Sequence, residues 1–243
     1  MEPGLTIIVL GIIFLATLTR ATFGFGDSLV AMPLLALLVD MRVATPLVAL
    51  VAATVGVCII ARSYQSVQFA SAWRLVIAGA IGVPIGLLLL SDPAMDQALK
   101  LTLAVVVVAF ASFLLAKPEA FALKAEGSAW FFGFVAGVFG GACNINGPPV
   151  VVYGTLRRWP PETFRATLQG YFLPIGLFIV FGHGLSGLWT QPVLEIYAMS
   201  VPIVGVAFFL GHWLSERLSR ERFVRYIYAL LVGMGLLLAA QNL

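Results

Sequence analysis

Two polar breaks interrupt otherwise apolar sequence, and they hold most of the residues able to do chemistry. The first reads Gly24-Phe25-Gly26-Asp27-Ser28 and leads into Met32-Pro33. The second reads Gly140-Gly141-Ala142-Cys143-Asn144-Ile145-Asn146-Gly147-Pro148-Pro149. A short apolar run follows each, so each break reads as the start of a short helix. Such a start exposes backbone N–H groups without intrahelical partners and about half a positive charge. Two starts converging from opposite sides would hold an anion without a buried Lys or Arg. Gly24, Gly26, Asp27, Ser28, Cys143, Asn144, Asn146 and Gly147 are therefore candidate binding residues for a small oxyanion, sulfonate or carboxylate.

Asp27 is the most telling of these. A carboxylate in apolar surroundings is costly and marks a functional position by default. It either caps the short helix alone, or caps it and also serves in proton coupling or gating. Arg20, seven residues earlier, is the nearest candidate charge partner and shares that coupling role; otherwise it snorkels from a helix end to water. Asn144 and Asn146 offer amide donors without a fixed charge, and either face an anion or only satisfy irregular backbone. Pro148 suits a first helical turn, where its missing N–H would be unpaired anyway. Gln169 and Tyr171 flank Gly170 in the next apolar segment and could line the same cavity, with Thr45 at a similar place in the first half. His183 and His212 lack metal-ligand spacing, and Cys58 and Cys143 lack disulfide or CxxC spacing, so no metal and no cofactor is expected. Without a catalytic constellation or a nucleotide-binding P-loop, neither an enzyme nor a pump powered by this chain alone is expected.

These residues need a membrane around them. Of 243 residues, 61% are hydrophobic and only 10% charged, whereas a soluble domain carries about a quarter charged. Mean hydropathy is +1.03. Apolar segments fall at 4–20, 28–39, 43–61, 72–90, 98–116, 129–142, 148–156, 163–182, 192–211 and 223–240. Most approach the roughly 20 residues that a bilayer core requires. The second and seventh make only about 14–18 Å of helix against a core of ~30 Å. They are half-helices or re-entrant pieces, tolerated only against protein or a watery cavity. The apolar stretch from Leu5 to Thr19 follows no basic residue and reads as a retained first helix, not a signal peptide.

The chain also contains itself twice. Gly24 falls on Gly140, Pro33 on Pro149 and Trp73 on Trp189 at a shift of 116 residues, and Val83-Pro84 on Val201-Pro202 at 118. The expected fold is an all-α polytopic membrane protein of two repeats, 1–120 and 121–243, divided at the polar connector 117–128. Each repeat has about five segments, with one short broken or re-entrant helix, and together they form one transmembrane domain. An odd number of segments inverts the second copy. If all ten segments cross, Arg20, Arg62, Arg74, Lys117, Lys124, Arg157, Arg158, Arg165, Arg217, Arg220, Arg222 and Arg225 fall on one side, and Arg42 and Lys100 on the other. This 12-to-2 split places the basic loops in the cytoplasm and both termini outside. If the two short segments do not cross, the split weakens to 10 to 4. The net charge of +3 is spread over short loops, so no nucleic-acid partner is expected. Trp73 and Trp189 read as interfacial anchors, and Pro46, Pro84, Pro174 and Pro202 as kinks.

In these motifs the chain resembles the TauE/SafE sulfite exporter family of bacterial membrane proteins, also grouped with toluenesulfonate uptake permeases. The resemblance rests on the glycine-rich element followed by Pro33, its repetition as Gly140-Gly141…Pro149, and the paired short spans. It covers nearly the whole chain, and Asp27 departs from the plainer glycine run of the family's first break. The resemblance implies a transporter of sulfite, sulfoacetate or another organosulfonate in the bacterial inner membrane. The expectation is a secondary carrier, working as an exporter by alternating access at a midplane site between inverted repeats. An anion channel and a proton-coupled importer are the alternatives. The expected partners are a small anion, the lipid bilayer and, for the importer, a proton; oligomeric state stays open.

Overall fold

The computed structural model describes residues 3–60, 69–115, 123, 125–215 and 231–241. Every regular element among them is helical. The order is α1 Pro3–Phe23, α2 Asp27–Ala36, α3 Met41–Ile60, α4 Phe69–Ser91, α5 Asp96–Leu115, α6 Ser128–Cys143, α7 Gly147–Leu156, α8 Pro161–Leu185 and α9 Gln191–Ser215, then α10 Leu231–Gln241. The two short segments are the ten-residue helices α2 and α7, each about 15 Å long. The start of the expected last segment, 223–230, lies outside the described residues, as do Arg62, Lys117, Lys124, Arg217, Arg220, Arg222 and Arg225. α2, α3, α4, α8 and α9 each run on through an internal proline, Pro33, Pro46, Pro84, Pro174 and Pro202.

Helices α1, α3, α4, α5, α8 and α9 are long and apolar enough to cross a membrane. Their outer faces agree. Ile77, Ile81, Ile85 and Leu88 of α4 and Val206, Phe209 and Leu210 of α9 point outward and stay exposed, which suits lipid and not water. The chain is a multi-pass membrane protein.

Lipid tails are as apolar as leucine, so helices in a membrane join through close packing more than through exclusion from solvent. The α4–α6 contact shows how. Gly133, Gly137 and Gly141 recur every fourth residue along α6; Gly133 meets Leu75 and Ala78 of α4, and Gly137 and Gly141 meet Gly79, Gly82 and Gly86. A Cβ at Gly137 would overlap the Gly79 backbone, and one at Gly141 the Val83 carbonyl. Gly82 and Gly86 are closed in the same way by the carbonyls of Phe134 and Val138. The two helices touch backbone to backbone. α1 lies along α9, where Gly211 makes a similar approach to Leu18 and accepts from the Thr22 hydroxyl at 3.2 Å. α3 and α8 pack together between these two pairs.

Polar contacts mark the two ends of the bundle. At one, Glu126 accepts from Arg74 at 2.5 Å and lies 4.0 Å from Arg157, while the Leu123 N–H donates to the Leu156 carbonyl at 2.9 Å. The Arg74 guanidinium holds the Glu126 carboxyl below its ordinary range. α6 and α7 thus go out and back, starting and finishing where α4 starts. At the other end, Asp96 accepts from the Met41 N–H at 3.0 Å and pairs with Lys100 at 2.8 Å. That contact joins the starts of α3 and α5. Arg74 and Arg157 therefore share one end, and Arg42 and Lys100 belong to the other. Trp73, edge-on to Trp130 at 5.7 Å, and Trp189 are exposed near segment ends, where interfacial anchors belong.

Candidate functional site

The first break is built on two left-handed steps. After α1 the chain passes through Gly24 at φ +85° and Gly26 at φ +100°, and α2 begins at Asp27. A side chain in such a conformation costs about 1–2 kcal/mol, which is why glycine stands at both positions. The Gly24 N–H returns to the Arg20 carbonyl at 2.7 Å, and the Gly24 carbonyl accepts from Gln169 Nε2 of α8 at 2.7 Å. The Val30 N–H closes the first turn of α2 on the Gly26 carbonyl at 3.1 Å. The N–H groups of Asp27, Ser28 and Leu29 precede that bond and stand outside the helical ladder. A Cβ at Gly26 would meet only ordinary contact, 3.6 Å from Thr19, so strain alone is at stake. Gly26→Ala is expected to lose about 1–2 kcal/mol of stability in thermal unfolding of the purified protein. Gly205→Ala, whose Cβ enters open space, should lose much less.

The second break uses asparagine where the first uses glycine. α6 ends at Cys143 and Asn144 turns left-handed at φ 51°, a conformation its short polar side chain tolerates. The Asn144 N–H bonds the Gly140 carbonyl at 2.9 Å, and the Ile145 N–H reaches the Phe139 carbonyl at 3.2 Å. α7 then starts with Gly147-Pro148-Pro149. Two prolines remove two of the donors that a helix start normally presents. The Gly147 N–H and the Asn146 amide remain. Asn144 Nδ2 donates to Ser28 Oγ at 3.3 Å, joining the two breaks across 116 residues. The Asn146 side chain makes no hydrogen bond among the described residues.

Both breaks open onto one cavity between the middles of α3 and α8. Its volume is about 40 Å³, room for roughly three water-sized groups. Arg20, Asp27, Ser28, Asn144, Asn146 and Gly147 form its polar side. Ala49, Ala53 and Gly56 of α3 and Phe172, Leu173 and Gly176 of α8 form the apolar side. Arg20 is only 6% exposed and its Nη1 donates to Asp27 Oδ2 at 2.6 Å. It is an interior residue paired with Asp27, so it neither snorkels nor counts among the loop charges. Two charges of opposite sign leave the cavity near neutral, with the two helix starts adding positive potential.

Four candidates stand away from the cavity. Gly24 and Gln169 hold each other, and their hydrogen bond pins the first break to α8. Cys143 turns its Sγ toward the Leu99 carbonyl of α5 at 4.0 Å, because it belongs to the last turn of α6 and faces α5. Tyr171 is fully buried against Gly79 of α4, with its hydroxyl unbonded among the described residues; the neighbouring Phe172 takes the cavity wall. Thr45 likewise reaches the Ala142 carbonyl, at 3.5 Å. The apolar wall escapes a sequence reading, since an alanine or phenylalanine within an apolar span offers no contrast.

Against this geometry, the family described as Sulfite exporter TauE/SafE matches residues 9–238. The chain belongs to the TauE/SafE family. The match spans both breaks and nearly every described helix, so the resemblance carried by the glycine and proline motifs holds. Membership in the TauE/SafE family makes the chain a membrane transporter of the sulfite or anion type. Neither a curated protein nor a solved structure matches the chain.

Proposed function

We propose that this TauE/SafE chain is a secondary carrier for sulfite, sulfoacetate or another small organosulfonate. In this reading the cavity between the two breaks is the substrate site, and alternating access of two inverted repeats exposes it to either face. The carrier works as an exporter in the bacterial inner membrane, with both termini outside the cytoplasm.

One observation carries the reading: the starts of α2 and α7, with the Asn146 amide and the buried Arg20, open onto the same cavity. Donors and positive potential converge there from both halves of the chain, and a small cavity suits a small anion. The Arg20–Asp27 pair at 2.6 Å favours a second reading, a proton-coupled importer in which Asp27 carries the proton.

Thermal stabilisation of the purified protein by a panel of anions tests the site. Sulfite, sulfoacetate and small sulfonates should stabilise it, by about 2.7 kcal/mol at 100 times the dissociation constant, and inorganic cations should not. No shift with any anion would remove the cavity from consideration as an anion site. Asn146→Ala should weaken the effective anion about tenfold or more, the worth of one hydrogen bond to a charged group. Its melting temperature without anion should stay near that of the parent, because the amide has no partner among the described residues to lose. A melting temperature that falls while affinity holds would make Asn146 a structural residue.

A further inference from the structure

The anion-carrier reading leaves one strong donor unused. Arg20 is more than nine-tenths buried and lines the cavity. A guanidinium carries five N–H donors in a fixed fork. Here Nη1 is committed to Asp27 Oδ2 at 2.6 Å. Among the described residues Nε is buried without a partner and Nη2 makes no hydrogen bond. Nη2 lies beside Gly56, 3.4 Å from where a Cβ would stand, so this edge of the fork faces a position that carries no side chain. The Nε–Nη2 edge has the geometry to take two oxygens of a sulfonate, sulfite or carboxylate at once.

Resting on that reading, we propose that Arg20 is the direct ligand of the transported anion and that Asp27 takes up a proton when the anion binds. An anion on Arg20 leaves two negative groups sharing one guanidinium in a largely apolar cavity, an arrangement that like-charge repulsion opposes. A proton on Asp27 restores the balance, since the empty site and the loaded site then carry the same net charge. Few other charges can do this. On the helices packed against α2, the remaining charged residues are Arg42 at the start of α3 and Asp96 and Lys100 of α5, with the exposed Cys58 as the one further titratable group. Asp96 and Lys100 pair with each other at 2.8 Å beside Met41, at the far end of the bundle. A monoanion and one proton therefore move together, and Arg20 returns to Asp27 when the site empties.

The test is calorimetric titration of the purified full-length protein with methanesulfonate, a monoanion throughout, from about pH 5 to about pH 8 in buffers of different ionisation enthalpy. One proton should be taken up per anion bound. Affinity should be highest at low pH and fall as pH rises, approaching tenfold per pH unit. Asp27→Asn should abolish that dependence and bind tightly at every pH. Arg20→Gln should lose binding. Arg20→Lys, which keeps the charge and guards against misfolding but lacks the planar fork, should bind about tenfold more weakly and keep the pH dependence. Wild-type affinity that is flat with pH and takes up no proton would overturn the proposal, and so would full-strength binding by Arg20→Gln. Absence of methanesulfonate binding at any pH also overturns it; the carrier reading falls with it only if sulfite exchange is absent too.

Discussion

Gly137→Leu is expected to part α4 from α6 and lower the stability of the purified protein by about 3 kcal/mol, the top of the usual range for overpacking. The reason is the nature of the obstacle. A side chain can rotate away from an added group, but Gly137 faces the Gly79 backbone, which cannot. The helices must separate, and the backbone contacts at Gly82, Gly86, Gly133 and Gly141 loosen together because they lie on the same seam. Packing is the main force that joins helices in lipid, so little remains to compensate. Gly205→Leu, where nothing lies within 4 Å of the Cβ, supplies the control. Equal melting temperatures for the two variants would contradict a backbone-to-backbone seam.

Asp27→Asn is expected to have a second large effect, a loss of about 3–5 kcal/mol in the absence of anion. Removing one member of a buried pair leaves the other charge uncompensated, and Arg20 is 6% exposed. The double variant Arg20→Gln, Asp27→Asn should recover most of that loss, because two neutral groups need no mutual compensation. The two changes must then be strongly non-additive in a double-mutant cycle. Additive losses would mean that the ion pair contributes nothing as a pair. An anion that binds Arg20 should also stabilise Asp27→Asn more than it stabilises the parent, since it supplies the missing negative charge.

The breaks are legible because glycine and proline interrupt an apolar helix in a recognisable way. α2 and α7 start at Asp27 and Gly147, one residue from the expected starts at 28 and 148. Side-chain direction at the breaks is not legible. A helix turns about 100° per residue, so adjacent residues such as Cys143 and Asn144 face different neighbours, Leu99 and Ser28. The same rotation puts Tyr171 against α4 and Phe172 on the cavity wall. For Arg20 and Asp27, seven residues apart, the intervening break decides whether they meet. Spacing alone leaves both pairing and snorkelling open. The glycine seam is a different case. Gly133, Gly137 and Gly141, four apart, form a readable small-residue pattern, but a search for apolar spans passes over it because glycine adds nothing to hydropathy. Of the charges counted on one side, Arg74 and Arg157 meet Glu126 at one end of the bundle, whereas Arg20 lies buried against Asp27.

Exchange of labelled sulfite in proteoliposomes tests most directly whether this TauE/SafE chain is a carrier with one small-anion site. Uptake of label should saturate with sulfite concentration and accelerate when unlabelled sulfite is present on the opposite side, because a loaded site returns faster than an empty one. Flux that rises linearly without acceleration would describe a channel, and no flux above that of empty liposomes would contradict the sulfite assignment.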